Sequence, residues 1–182
     1  MLNKFIVIII VFFLHSPLLA PKETSGMIYY LDKYLKIFTN LTAAEVLTGI
    51  DVESSGNPKA IRYEKRIKCY ARGALQITDK TARWRGYEGP LEDLCSWKTG
   101  LYWGMEYMSY QKRRYAKTVR PWQTGIKRRR MFAAYNYGSV KFVKNKGKGK
   151  WEYKNQWHVN KCEKRYEYWI KNLYKKGGKS ND

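Results

Sequence analysis

The sequence predicts one mostly α domain (α+β), with a small β element inserted after an early helix that carries a carboxylate in its last turn. Three observations carry that prediction. Thr42-Ala-Ala-Glu45 has the spacing of a capping box, which starts a helix at Thr42. Residues 59–79 lack helical periodicity and read as loop and short strands around Ala71–Thr78. Near the C-terminus Val159, Cys162, Tyr166, Trp169 and Leu173 step by three and four, the period of an amphipathic helix. The chain of 182 residues suits one domain with a sizeable core, and neither an internal repeat nor a second domain is evident.

Residues 1–20 read as a signal peptide or N-terminal membrane anchor. Lys4 precedes an apolar run from Phe5 to Leu14, and the segment closes on Ala20, the layout of a secretory signal. His15, Ser16 and Pro17 interrupt the run well short of the roughly 20 apolar residues that a spanning helix needs. Pro21 disfavours cleavage directly after Ala20, so an uncleaved segment that keeps the chain on the inner membrane stays open. The expected location is exported, either periplasmic or extracellular.

The main domain is expected over 27–176, with 177–182 a flexible tail. Met27–Phe38 has apolar residues at helical spacing. In the next helix Val46, Leu47 and Ile50 share a stripe with Glu53, and Ser54-Ser55-Gly56-Asn57-Pro58 ends it, with Gly56 a natural left-handed stop. Thr81–Trp84 and Leu91–Leu94 read as short helical pieces around the Gly86 and Gly89-Pro90 turns. Trp97 to about Tyr110 is a stronger helix. Residues 111–130 are densely basic and broken by Pro121 and Gly125. Met131–Tyr137 resumes as helix, and Lys141–Lys150 reads as a Lys/Gly loop.

Composition narrows the function classes. Seven Trp, sixteen Tyr and six Phe are too many aromatics for a disordered basic tail. A formal charge of +21 implies an anionic partner. Charge alone would suit nucleic acid, but the export signal and the absence of recognition motifs argue against it. In an oxidising compartment Cys69 and Cys95 are the expected disulfide pair, leaving Cys162; three thiols are the equal alternative. The cysteine spacing and the two histidines, His15 and His158, do not make a zinc site, so no metal or cofactor is expected.

Glu53 poses the chemical question. It falls on the apolar stripe and at the negative end of the helix dipole, and both oppose ionisation. A carboxyl that keeps its proton can protonate a glycosidic oxygen. Position alone is weak evidence and favours an idle glutamate, because many helices end in a partly exposed Glu.

"ESSGNPKA" (53–60), "ARGALQITDKTA" (71–82) and "FAAYNYG" (132–138) resemble, in order, the three sequence blocks of the lytic transglycosylase domain of the soluble-lytic-transglycosylase (SLT) type, in the lysozyme-like superfamily. Leu91, Gly104 and Tyr107-Met108 resemble its weaker fourth block, and the likeness spans about residues 40–140. Departures occur at Tyr70-Ala71, where Gly-Ala is usual, at Ala74 for Leu, at Asp79 for Pro, and at Arg130-Met131-Phe132 for a plain aliphatic run.

The resemblance implies a lysozyme-like fold with helices around a sugar-binding cleft. It implies Glu53 as catalytic acid/base, Ser54 as a hydroxyl bonded around that carboxyl, Gln76 as a cleft-lining amide, and Tyr135 and Asn136 as the pair facing the acid and the substrate's acetamido group. Gly73 and Gly138 resemble the turn positions of those blocks. Read without the resemblance, Gln76 suits a solvent-facing strand residue, Tyr135 a core aromatic and Asn136 a helix cap.

No second carboxylate is paired with Glu53 by spacing; Asp51, Glu64, Asp79, Glu88, Glu92 and Asp93 fall elsewhere. The resemblance implies why one suffices: the C6 hydroxyl of N-acetylmuramic acid attacks its own C1, giving a 1,6-anhydro product without water. High effective molarity favours such a step. The implied substrate is the glycan strand of peptidoglycan, with wall turnover, a secretion or conjugation apparatus, or a phage as the process served. Arg113/Arg114, Arg128–Arg130 and Lys141–Lys150 are candidate contacts to its anionic groups, or else solvated charge. A lysozyme-type hydrolase and a catalytically silent wall-binding assembly protein are the competing readings.

Overall fold

The computed structural model describes residues 21–116, 123–144 and 151–174. The expected signal at 1–20 and tail at 177–182 lie outside them. Helix α1 (Pro21–Leu35) opens on proline, whose fixed φ suits a first turn, and runs earlier than its apolar spacing suggested. Helix α2 (Ala43–Ser54) has the expected capping box: Thr42 Oγ1 accepts from the Glu45 amide, and Glu45 returns to the Thr42 amide at 2.8 Å. It ends in two left-handed residues, Ser55 (φ 53°) and Gly56 (φ 87°). The Ser55 and Gly56 amides turn back to the Asp51 and Ile50 carbonyls, so the chain reverses directly behind Glu53.

An antiparallel sheet follows, β1 (Ile61–Glu64), β2 (Cys69–Arg72) and β3 (Ile77–Thr78), in register Tyr63↔Tyr70 and Arg72↔Ile77. Then come α3 (Asp79–Trp84), a 3₁₀ turn (Leu91–Cys95), α4 (Thr99–Ala116) and α5 (Thr124–Tyr137). A hairpin of β4 (Phe142–Lys144) and β5 (Trp151–Tyr153) leads into α6 (Gln156–Tyr174).

Two sequence expectations need correction here. Gly125 does not break the helix, because it sits in the first turn of α5, where helix propensity matters least. The Lys141–Lys150 segment is not all loop: Phe142 and Tyr153 pair across the hairpin with ring centres 4.8 Å apart, and aromatic cross-strand pairing favours a strand at its start. The rest of that segment, 145–150, lies outside the described residues.

The main core is built from α1, α2, α4, α5 and α6, through Met27, Leu31, Leu47, Ile50, Leu101, Met105, Met131 and Trp169. A smaller core, around Ile77, Ala82, Tyr87 and Leu94, ties the sheet to α3 and α4. Leu75 joins the helices at their closest approach. Its side chain occupies the space that a Cβ at Gly49 on α2 or Gly104 on α4 would need, at 2.8 and 2.5 Å. Glycine at those two positions lets the loop before β3 settle between the helices. Gly73, which begins that loop, takes φ +75°.

Cys69, Cys95 and Cys162 are all thiols, so the expected Cys69–Cys95 bridge is not formed. Cys69 is buried on β2, whereas Cys95 hydrogen-bonds the Arg72 guanidinium.

Candidate active site

Four elements meet at a cleft of about 500 Å³. The end of α2 contributes Val52 and Glu53, and β1 with its turn contributes Arg62, Tyr63, Glu64, Lys65 and Arg66. The end of α5 adds Asn136, and the first turns of α6 add Trp157, His158 and Lys161. Packing of α2 against α6 brings the first and fourth of these groups to one place.

Glu53 is the buried acid of this cleft, its side chain 8% exposed. Removal from water pushes its pKa from 4.5 up to about 7. The Arg62 guanidinium, 3.9 Å from Oε2, and the Lys161 ammonium pull the other way, while Glu64 adds to the rise. Burial wins over two nearby cations, so near neutral pH the carboxyl is shared between its acid and base forms.

His158 approaches Glu53 from α6, with Nε2 3.6 Å from Oε1 and 3.4 Å from Cys162 Sγ. The first separation is longer than a hydrogen bond. Burial, then the Lys161 and Arg62 charges, press the His158 pKa from 6.5 down to about 4. The imidazole is therefore neutral at working pH and brings no counter-charge to Glu53. Burial raises the Cys162 thiol far above its ordinary range, so it stays protonated.

The other expected residues divide into those at the cleft and those behind it. Asn136 lines the cleft; its Oδ1 accepts from Asn155 Nδ2 at 3.1 Å, and the same Nδ2 donates to the Ala133 carbonyl. Tyr135 donates its hydroxyl to the Leu75 carbonyl at 2.7 Å, and the Glu53 charge adds to a burial that holds its pKa well above 10. Ser54 turns its hydroxyl back to the Ile50 carbonyl at 3.1 Å, within its own helix. Gln76 is buried behind the cleft at φ +49°, donating Nε2 to the carbonyls of Ala60 (3.0 Å) and Gly73 (2.9 Å). It ties the β1 approach to the loop that carries Leu75. A non-glycine residue in this left-handed region is held there by its surroundings.

Of the basic runs, Arg128 is used internally: it forms a two-pronged pair with Glu163 at 2.9 Å and lies 3.8 Å over the Tyr166 ring. Arg114 lies over Tyr110 and Tyr115.

Sequence reasoning missed Arg62, His158 and Lys161 as members of the site. A signal existed for His158: with Val159 and Cys162 it continues the buried stripe of α6, where an ionisable ring demands a partner. For Arg62 and Lys161 no local signal exists, because their place follows from β1 and α6 closing on α2.

Among the described residues no group of His, Cys, Asp and Glu could hold a metal ion. No curated protein and no solved structure matches the chain. The family described as the transglycosylase SLT domain does match, over residues 30–158, and the mostly α, lysozyme-like architecture agrees with it. The chain belongs to the transglycosylase SLT domain family, whose activity is of the lytic transglycosylase type on the cell wall.

Proposed function

We propose that this protein cleaves the β-1,4 bond between N-acetylmuramic acid and N-acetylglucosamine in peptidoglycan, with Glu53 as its single acid/base and a 1,6-anhydro-muramic end as product. The observation that carries the reading is a buried cleft carboxyl whose pKa, about 7, suits both halves of the cycle. Protonated Glu53 gives its proton to the bridging oxygen as the C1–O bond breaks. The resulting carboxylate takes the proton of the muramic C6 hydroxyl as that oxygen bonds to C1, which restores the acid. The proton count closes and no water is consumed. Neutral His158 beside Oε1 suits this cycle, since a protonated imidazole there would hold Glu53 ionised. Asn136, whose Oδ1 is bonded to Asn155, is suited to orient the substrate's acetamido group. Such a substrate implies an exported location; no helix of the described residues is long and apolar enough to cross a membrane.

One observation favours a hydrolytic second reading. Glu64 lines the same cleft and could activate water, although Arg62 Nε holds it at 2.6 Å. Release of soluble fragments from purified peptidoglycan, by the native chain beside Glu53→Gln and Glu64→Gln, separates the two. The proposal expects loss of roughly a thousandfold in rate for Glu53→Gln, the scale of an essential acid/base, with less than tenfold loss for Glu64→Gln. Comparable losses in both variants would favour hydrolysis.

A further inference from the structure

We propose that the mouth of this cleft selects glycan that still carries its peptide stems, by pairing Arg62, Arg66 and Lys161 with stem carboxylates. The inference rests on the peptidoglycan reading and names which form of that polymer the site takes.

The cleft is more cationic than a sugar chain requires. Arg62, Lys65, Arg66 and Lys161 line it, against Glu53, which burial keeps partly protonated near neutral pH, and Glu64, which Arg62 already holds. Three guanidinium groups elsewhere in the molecule are neutralised in place, Arg72 by Asp79, Arg85 by Glu106 and Arg128 by Glu163. Among the described residues neither Arg66 nor Lys161 has such a carboxylate. Arg66 stacks 4.9 Å over the Tyr137 ring, and Lys161 Nζ donates to the Val52 carbonyl at 3.3 Å. Lys141 and Lys154 crowd the same Tyr137 ring at 5.7 and 5.1 Å, extending the positive fringe.

These charges work against the chemistry of a neutral substrate. Arg62 and Lys161 both draw Glu53 towards ionisation, so a site for bare sugar would hold a better acid without them. A peptide-bearing strand reverses that conflict. Its muramic lactyl group is tied up as an amide, and its free carboxylates belong to the stem. Carboxylates meeting Arg62 and Lys161 would cancel their pull on Glu53, leaving burial and Glu64 to hold the proton. His158 stays neutral, and Asn136 and Tyr135, which face Glu53 from α5, add no charge. The stem would thus hold the strand and keep its acid protonated at once. Two or three such pairs at a half-exposed mouth are worth about five- to thirtyfold in binding at low salt.

The test reads binding on the Glu53→Gln chain, so it does not depend on cleavage. Three soluble strands are compared: peptide-bearing glycan, the same glycan with its stem carboxylates converted to amides by carbodiimide and ammonia, and glycan stripped of stems by an amidase. The expected result is at least about fivefold tighter binding of the first than of the second. That ratio should fall towards one when Arg66→Gln or Lys161→Gln is added. Equal binding of amidated and native strands overturns the proposal. Stripped strands binding as tightly as peptide-bearing ones also overturn it, and assign the cations to the free lactyl carboxylate. A wrong reaction for the enzyme would show only in the products of the native chain, and would leave this binding comparison standing.

Discussion

Replacing Glu53 by glutamine should stabilise the fold, and increasingly so as pH rises. The amide keeps the volume and hydrogen-bonding shape of a protonated carboxyl but cannot ionise. In the folded chain the Glu53 pKa is raised from 4.5 to about 7, so the folded state holds a proton that the unfolded state releases. Stability is therefore lost as pH climbs through that window, and the loss is complete only above the folded pKa. Between pH near 4.5 and pH about 8 the shift corresponds to roughly 3 kcal/mol in the difference between native chain and variant, at 1.36 kcal/mol per pKa unit. Because the comparison is made within each pH, the titration of every other group cancels, including the strong net charge. Urea unfolding at both pH values gives the two differences directly. For a domain of this size the same energy appears as a gain of about 6–12 °C in Tm for the variant at the higher pH. A flat difference across the window would refute the buried-acid argument. A variant that grew relatively weaker with pH would mean that Arg62 and Lys161, not burial, govern the carboxyl.

Three further outcomes follow from the same geometry. His158 has the opposite sign: its pKa falls from 6.5 to about 4 on folding, so its contribution is present above pH 6.5 and is lost as pH drops towards 4. His158→Asn should flatten the acid limb of the stability curve by about 3 kcal/mol at pH 4, read by urea unfolding. Gly104→Ala would drive a Cβ to 2.5 Å from that of Leu75, and overpacking of this kind costs about 1–3 kcal/mol, measured as a lower Tm. Tyr135→Phe leaves the Leu75 carbonyl without its donor and should cost about 1 kcal/mol in unfolding free energy, with slower fragment release from peptidoglycan.

The helices were legible because their signals are local. The Thr42–Glu45 box, the Ser54–Pro58 stop and the α6 stripe each lie within a few turns of chain, and each is found where the sequence put it. Glu53 could be read from the same information, since a stripe position and a helix end are both local properties. What surrounds it could not. Arg62 and Lys161 lie nine and over a hundred residues after Glu53 in the chain, and reach it only because β1 and α6 fold back on α2. The β4–β5 hairpin was hidden for a different reason: lysines and glycines dominate 141–150, and the Phe142–Tyr153 pair that makes the strand is split across it. The Cys69–Cys95 expectation rested on compartment and spacing alone, neither of which fixes the direction in which a thiol points.

The central claim is that Glu53 closes an anhydro ring without water. Its most direct test is mass spectrometry of the fragments released from purified peptidoglycan by residues 21–182 in heavy-oxygen water, beside the Glu53→Gln variant. The account predicts fragments that end in 1,6-anhydro-muramic acid and carry no solvent oxygen, absent with the variant. Reducing ends labelled by the solvent would contradict it and make the enzyme a hydrolase.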